Sequence, residues 1–256
     1  MPLARLGRLG IAVLAICQAG VMKSTVVASV LCAGGVLLLL AFLKLDADSK
    51  NRIFPQGILN PRTVSGSGLL MISSLFMATI SLTVYGPLLM YIIFGAEPLE
   101  AGYIIALESL GWTVVAISTS GVSVRVEPRL IRLGSVLVSI SMVGLIYAMP
   151  SGPLWLIALF STIMGVGYGM SWSFVSKRII ANVSEAERTQ ASASIPTFMR
   201  VSMALGSALS GIIANFSGFS EDSSVEVAQN VAFWCFAAFV PLILVGLFTA
   251  WRVSRE

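Results

Sequence analysis

Glu108 is the residue with the clearest chemical potential in this chain, because it stands in the middle of the apolar stretch "LEAGYIIALESLGWTVVA", residues 99–116. Leaving a carboxylate ionised in hydrocarbon costs at least ~2.5 to 3.5 kcal/mol, so such a group faces a cavity, finds a partner or takes up a proton. The chemistry on offer is proton binding and release, or pairing with a cationic substrate. The alternative is a structural acid satisfied by hydrogen bonds. Arg200, in "IPTFMRVSMALG", is the matching cation inside an apolar run. Aromatic residues gather near these charges and near helix breaks: Trp112 beside Glu108, Tyr168 and Trp172 in "MGVGYGMSW", and Tyr85 and Tyr91 flanking Pro87. Rings of this kind suit adaptable binding of apolar compounds, and they serve equally as packing or interface anchors.

Other chemistries drop out. The chain has no histidine, which removes Ser/His triads and histidine-ligated metalloproteases. Cys17, Cys32 and Cys235 lie in separate apolar runs without CxxC spacing, so neither a zinc site nor a disulfide framework is implied. No phosphate-binding loop of the G-x-x-x-x-G-K-[ST] kind is present, and an aspartyl protease would need a second acid facing Glu108. Neither an enzyme nor a metal or other cofactor is expected.

The elements that must position these residues are membrane helices. Charged residues make up 11% of the chain and hydrophobic ones 57%, with a mean hydropathy of +0.92, where soluble domains carry about 25% charge. Runs long enough to cross ~30 Å of hydrocarbon recur throughout. About eight are read, near 9–21 (short), 25–43, 68–94, 99–120, 130–149, 154–175, 191–216 and 231–251.

The net charge of +4 raises nucleic acid as a partner, but the basic residues follow the helix gaps instead. Arg5 and Arg8 precede the first helix; Lys44, Lys50, Arg52 and Arg62 follow the second; Arg125, Arg129 and Arg132 follow the fourth; Lys177, Arg178 and Arg188 follow the sixth; Arg252 and Arg255 close the chain. The opposite side has Lys23 alone, together with Glu97, Glu100, Glu221, Asp222 and Glu226. Positive residues collect on the cytoplasmic side, which places both termini there. Arg5 and Arg8 before "LGIAVLAICQAG" also fit a signal peptide, although no A-x-A site follows and the next apolar run comes at once. The stretch "KLDADSKNRIFPQGILNPRT" reads as a cytoplasmic linker with room for a short surface helix. Three parts result: two linker helices over 1–43, the linker over 44–66, and a six-helix bundle over 67–256.

Glu108 lies nine residues beyond Leu99 and Arg200 nine beyond Ala191, so each reaches ~13 Å into the membrane, from opposite faces. The third to fifth and sixth to eighth helices form two triplets of opposite orientation, with these residues at equal depth on the middle helix of each. Inverted three-helix repeats with polar residues near the midplane are a transporter layout. The placement makes the two residues counterparts by symmetry rather than an ion pair. Small residues four apart, Gly165 with Gly169 and Ser207 with Gly211, allow close helix packing; a sliding surface is the second reading.

The last six helices resemble the C-terminal half of a major facilitator superfamily transporter. "GVSVRVEPRLIRLG" is similar to the second, degenerate copy of that superfamily's cytoplasmic-loop signature: Gly121, Arg129 and Gly134 fit, whereas Arg125 stands in place of an acid and Pro128 in place of a glycine. "PLLMYIIFGAEPLEAGYIIALESLG" is similar to the seventh-to-eighth helix region of the twelve-helix plan, and "MGVGYGMSW" through "RTQASASIPTFMRVSMALGSALSG" to its tenth and eleventh helices. Two further helices and "RIFPQGILNPRTVSGSGL" resemble the central insertion of the fourteen-helix drug:proton antiporters. The resemblance implies an all-α polytopic protein of the inner or plasma membrane. It implies proton-coupled export of small apolar or amphipathic compounds, with lipid, substrate and protons as partners. It also leaves the N-terminal six-helix bundle unaccounted for, and alternating access rocks one bundle against the other. A fragment, a separately encoded half, and self-association of one half are the alternatives, the last disfavoured because the halves contribute different residues. A non-transporting remnant or scaffold, and a small-solute importer half, stand as rival functions.

Overall fold

The structure, a computed structural model, describes residues 2–22, 24–49, 52–219 and 224–255, with the backbone alone for residues 2–6 and 25. The charges counted at Lys23, Lys50, Glu221 and Asp222, and the side chain of Arg5, lie outside the described residues.

Its elements are α1 (Pro2–Ala19), α2 (Thr25–Ala47), α3 (Val64–Phe94), α4 (Pro98–Thr119), α5 (Glu127–Ser151), α6 (Leu154–Ala181), a single 3₁₀ turn (Glu185–Glu187), α7 (Arg188–Phe216), α8 (Val225–Ala237) and α9 (Val240–Val253). Among the described residues, seven spans are long and apolar enough to cross a membrane, α8 and α9 together making one of them; the apolar part of α1, Gly7–Ala19, is shorter. The fold is all-α and polytopic.

Local chemistry sets the helix ends. Thr63 caps α3 by accepting the Gly66 N–H at 3.0 Å, and Gly95, in the left-handed region at φ 69°, closes it while its N–H bonds the Tyr91 carbonyl. Pro98 and Pro128 sit in the first turns of α4 and α5, where a missing N–H costs nothing.

Several expected boundaries shift: α1 begins at Pro2, α3 at Val64, α5 at Glu127 and α7 at Arg188, each earlier than expected, and three further differences stand out. The eighth span is two helices, because Pro241 cannot donate to the Ala237 carbonyl and its ring crowds it, so the chain breaks at Ala238 and Phe239. The sixth helix runs on to Ala181, placing Lys177 and Arg178 on its last turns rather than in a loop. The second helix keeps Lys44 and Asp46, and residues 52–63 form turns, not a surface helix.

Around α3, which is 72% buried over its most apolar window against 17% for α2 and for α4, pack α4, α6, α7, α8 and α9. α5 closes the far side against α6, α8 and α9, and α1 pairs with α2 while lying on α7. Gly20, just past α1, sits so close to α7 that a Cβ there would meet the Ala208 backbone at 2.9 Å.

Residues 52–56 of the connection between α2 and α3 are strapped down. Asp46, 2% exposed, accepts the N–H groups of Ile53 (2.9 Å) and Phe54 (3.0 Å). Gln190 donates to the Arg52 carbonyl, and Gln56 N–H donates to Glu187 Oε1 at 2.9 Å, which ties the strap to the start of α7. Asp46→Ala removes the acceptor for two N–H groups, a loss of about 1–3 kcal/mol each where they stay dry. Amide exchange at Ile53 and Phe54 is expected to quicken by at least ~10-fold in that variant, while α3 keeps its protection. Unchanged exchange across the strap would refute the carboxylate's role.

Candidate functional site

Glu108 and Trp112 stand four residues apart on α4 and therefore on one face of it. Glu108 is ten residues from Pro98 and eleven from Thr119, about 15 Å from either helix end. α6 crosses this face at close range because it presents glycine. Gly165 lies against the Glu108 backbone, and a Cβ on Gly169 would come within 2.6 Å of the Trp112 carbonyl oxygen. In return, Gly111 of α4 opens onto the Thr162 carbonyl of α6.

This close crossing brings four rings together. Tyr168 stacks on Trp112 (centroids 5.2 Å apart) and on Phe76 of α3 (4.7 Å), while Trp172 packs at 5.8 Å from Trp112 and 5.5 Å edge-on to Phe76. Offset and edge-to-face pairs at these separations are the favoured aromatic geometries. The Tyr168 hydroxyl, fully buried, lies 2.7 Å from Thr79 Oγ1. Thr79 already gives its proton to the Leu75 carbonyl at 3.0 Å, so Tyr168 is the donor between them. Glu108 is half-buried beside this cluster and makes no hydrogen bond or ion pair among the described residues.

The other residues singled out from the sequence fall elsewhere. Tyr85 is half-buried on α3 and meets Phe219 edge-on at 6.5 Å; Tyr91 is exposed. Neither joins the cluster, because they occupy the far end of α3 from Phe76. Arg200 is exposed near the middle of α7, without a hydrogen bond or ion pair among the described residues, and is not joined to Glu108. Gly211 packs against Gly20, and Ser207 is half-buried on α7. Of the loop residues, Gly121 and Arg125 are exposed in the turn between α4 and α5, Arg129 is exposed on α5, and Gly134 is buried against Gly167 of α6.

Sequence reasoning missed two features. Phe76 and Thr79 sit among many similar apolar and hydroxyl residues of α3, and nothing in their spacing marks them. Arg132 and Arg178, counted only as loop charges, satisfy the C-terminal end of α9: Arg132 Nε donates to Ser254 Oγ at 2.6 Å with its guanidinium 5.0 Å over the Trp251 ring, and Arg178 donates to the Val253 carbonyl at 2.6 Å. Beside them Lys177 pairs with the buried Glu127 at 2.7 Å, fixing α6 to the start of α5.

A buried central helix wrapped by apolar, membrane-length helices, with a carboxylate and a ring cluster midway along them, defines a polytopic helical membrane protein. The sequence profile of the Major Facilitator Superfamily matches residues 68–256, the stretch of α3 to α9, and the chain belongs to that superfamily. It is similar to proteins named probable multidrug-efflux transporters from two strains of Mycobacterium tuberculosis, CDC 1551 / Oshkosh and H37Rv. Each is 25% identical over 254 residues, which cover 97% of this chain and 52% of the relative. The chain thus spans about half the length of the curated relatives it matches.

Proposed function

We propose that this chain forms the C-terminal part of a proton-coupled exporter of small apolar or amphipathic compounds, acting against a six-helix N-terminal half. The observation that carries this reading is Glu108, midway along α4 and one turn from Trp112, whose ring packs with those of Phe76, Tyr168 and Trp172. An acid there can load and release a proton, and the rings offer apolar surface to a range of compounds without demanding one shape. The names of the two mycobacterial relatives support the export direction. In this reading residues 1–43 are linker helices and 67–256 the transporting bundle. The end bearing Arg62, Arg129, Arg178 and Arg252 faces the cytoplasm, as do both termini. Arg200, exposed on α7, meets the opposing half.

The test is transport by proteoliposomes holding this chain together with an N-terminal half, loaded with a fluorescent amphipathic compound. Export is expected to follow an imposed pH gradient and to stop when an ionophore collapses it. Export that persists without the gradient overturns the coupling.

A further inference from the structure

A cavity of about 240 Å³ lies between the α1–α2 pair and the α3–α7 face. It shares no lining residue with the Glu108 cluster, and Leu9, Leu39, Phe42, Leu43 and Phe54 of its wall precede residue 68, outside the superfamily match.

We propose that this slot binds a neutral, one- or two-ring compound carrying a single hydrogen-bonding group. No charged residue lines it, so an ionic ligand would lose its hydration for no return. One end is aromatic: Phe54 of the strap meets Phe198 of α7 at 4.8 Å and Phe42 of α2 edge-on at 6.0 Å, with the Met77 thioether nearby to adapt to a ring. The volume exceeds the ~150 Å³ that accommodates benzene and falls below the ~300 Å³ at which drug-sized pockets begin.

The polar requirement comes from Ser202 and Ser73. A helical serine in hydrocarbon ordinarily turns its hydroxyl onto the carbonyl one turn back, as three buried serines of α3 and α7 do: Ser74 bonds Leu70, Ser194 bonds Gln190, and Ser210 bonds Gly206. Ser202, 4% exposed, makes no such bond, and neither does Ser73 across the slot. Ser202 is buried and Ser73 half-buried, and both line the slot, where a ligand's donor or acceptor would satisfy hydroxyls that the helices leave unpaired. Lipid acyl chains could fill the volume but offer the hydroxyls nothing.

Photolabelling of the purified 256-residue chain in detergent tests this with a diazirine-bearing phenol. Saturable labelling confined to the slot's lining, residues 9, 39–43, 54, 70–77 and 197–205, is expected, displaced by phenol at ~10-fold lower concentration than by toluene, as hydrogen bonding to the hydroxyls demands. Labelling should fall by a similar ~10-fold in the Ser73→Ala/Ser202→Ala double variant. Should that variant unfold, the phenol-against-toluene comparison on the wild-type chain decides. No saturable labelling, equal displacement by toluene, labelling spread evenly over the exposed helices, or a photoreactive phospholipid chain that occupies the slot and resists phenol would each overturn the proposal.

Discussion

Gly165→Val is expected to be among the most damaging single substitutions in this chain. Any side chain at 165 would run into the backbone of Glu108, and backbone on a packed helix cannot step aside as the tip of a side chain can. α6 must then lift from α4, at a cost of about 3 kcal/mol or more for overpacking of this kind. The same movement separates Trp112 from Tyr168, whose rings lie 5.2 Å apart, and admits lipid or water to the cluster. Thermal unfolding in detergent should show a lowered midpoint, and tryptophan emission should shift to the red before global unfolding, because Trp112 and Trp172 both report on the cluster. Gly102→Val, on the same α4 but with open space where the side chain would go, is the matched control. Equal midpoints for the two variants would defeat the idea that α4 and α6 are held together by backbone contact.

The second large effect is functional and follows from the proposed coupling. Glu108→Gln preserves the volume and hydrogen-bonding reach of the side chain while removing the group that can carry a proton. If one proton is exchanged per substrate, each unit of pH difference supplies about 1.36 kcal/mol and supports a roughly 10-fold concentration ratio. In proteoliposomes containing the assembled transporter, that ratio is expected to fall to unity in Glu108→Gln, whereas downhill exchange of the same compound continues. The split between uphill and downhill movement separates loss of coupling from loss of folding. A variant that still sustains an uphill ratio would remove Glu108 from the coupling role.

Much of the fold was legible because membrane crossing imposes length and composition on each segment. Glu108 stood out for the same reason: one carboxylate in an apolar helix breaks a pattern that hydrocarbon enforces. The grouping of Trp112, Tyr168 and Trp172 could be anticipated from small residues at helical spacing, since Gly165 and Gly169 place α6 within ring-contact distance of α4. Phe76 and Thr79 were invisible because which face of α3 meets α6 depends on how the helices are rotated about their axes, and α3 is apolar on every side. The division of the last span at Pro241 was readable in principle, yet the run of apolar residues on both sides hid it. Arg132 and Arg178 misled in a different way: a positive charge near a membrane surface has an orienting effect, and only coordinates reveal that it also closes a helix end.

The tied-down connection between α2 and α3 has a mechanical consequence. Asp46 grips Ile53 and Phe54, and Gln190 and Glu187 hold Arg52 and Gln56 to the beginning of α7, so residues 52–56 are fastened to both helices. α1 and α2 are also seated on α7 through Gly20 and Gly211. If the chain tilts against a partner half as proposed, they would travel as ballast with the six spans behind them, and the described helices would sweep as a single rotor, Glu108 included.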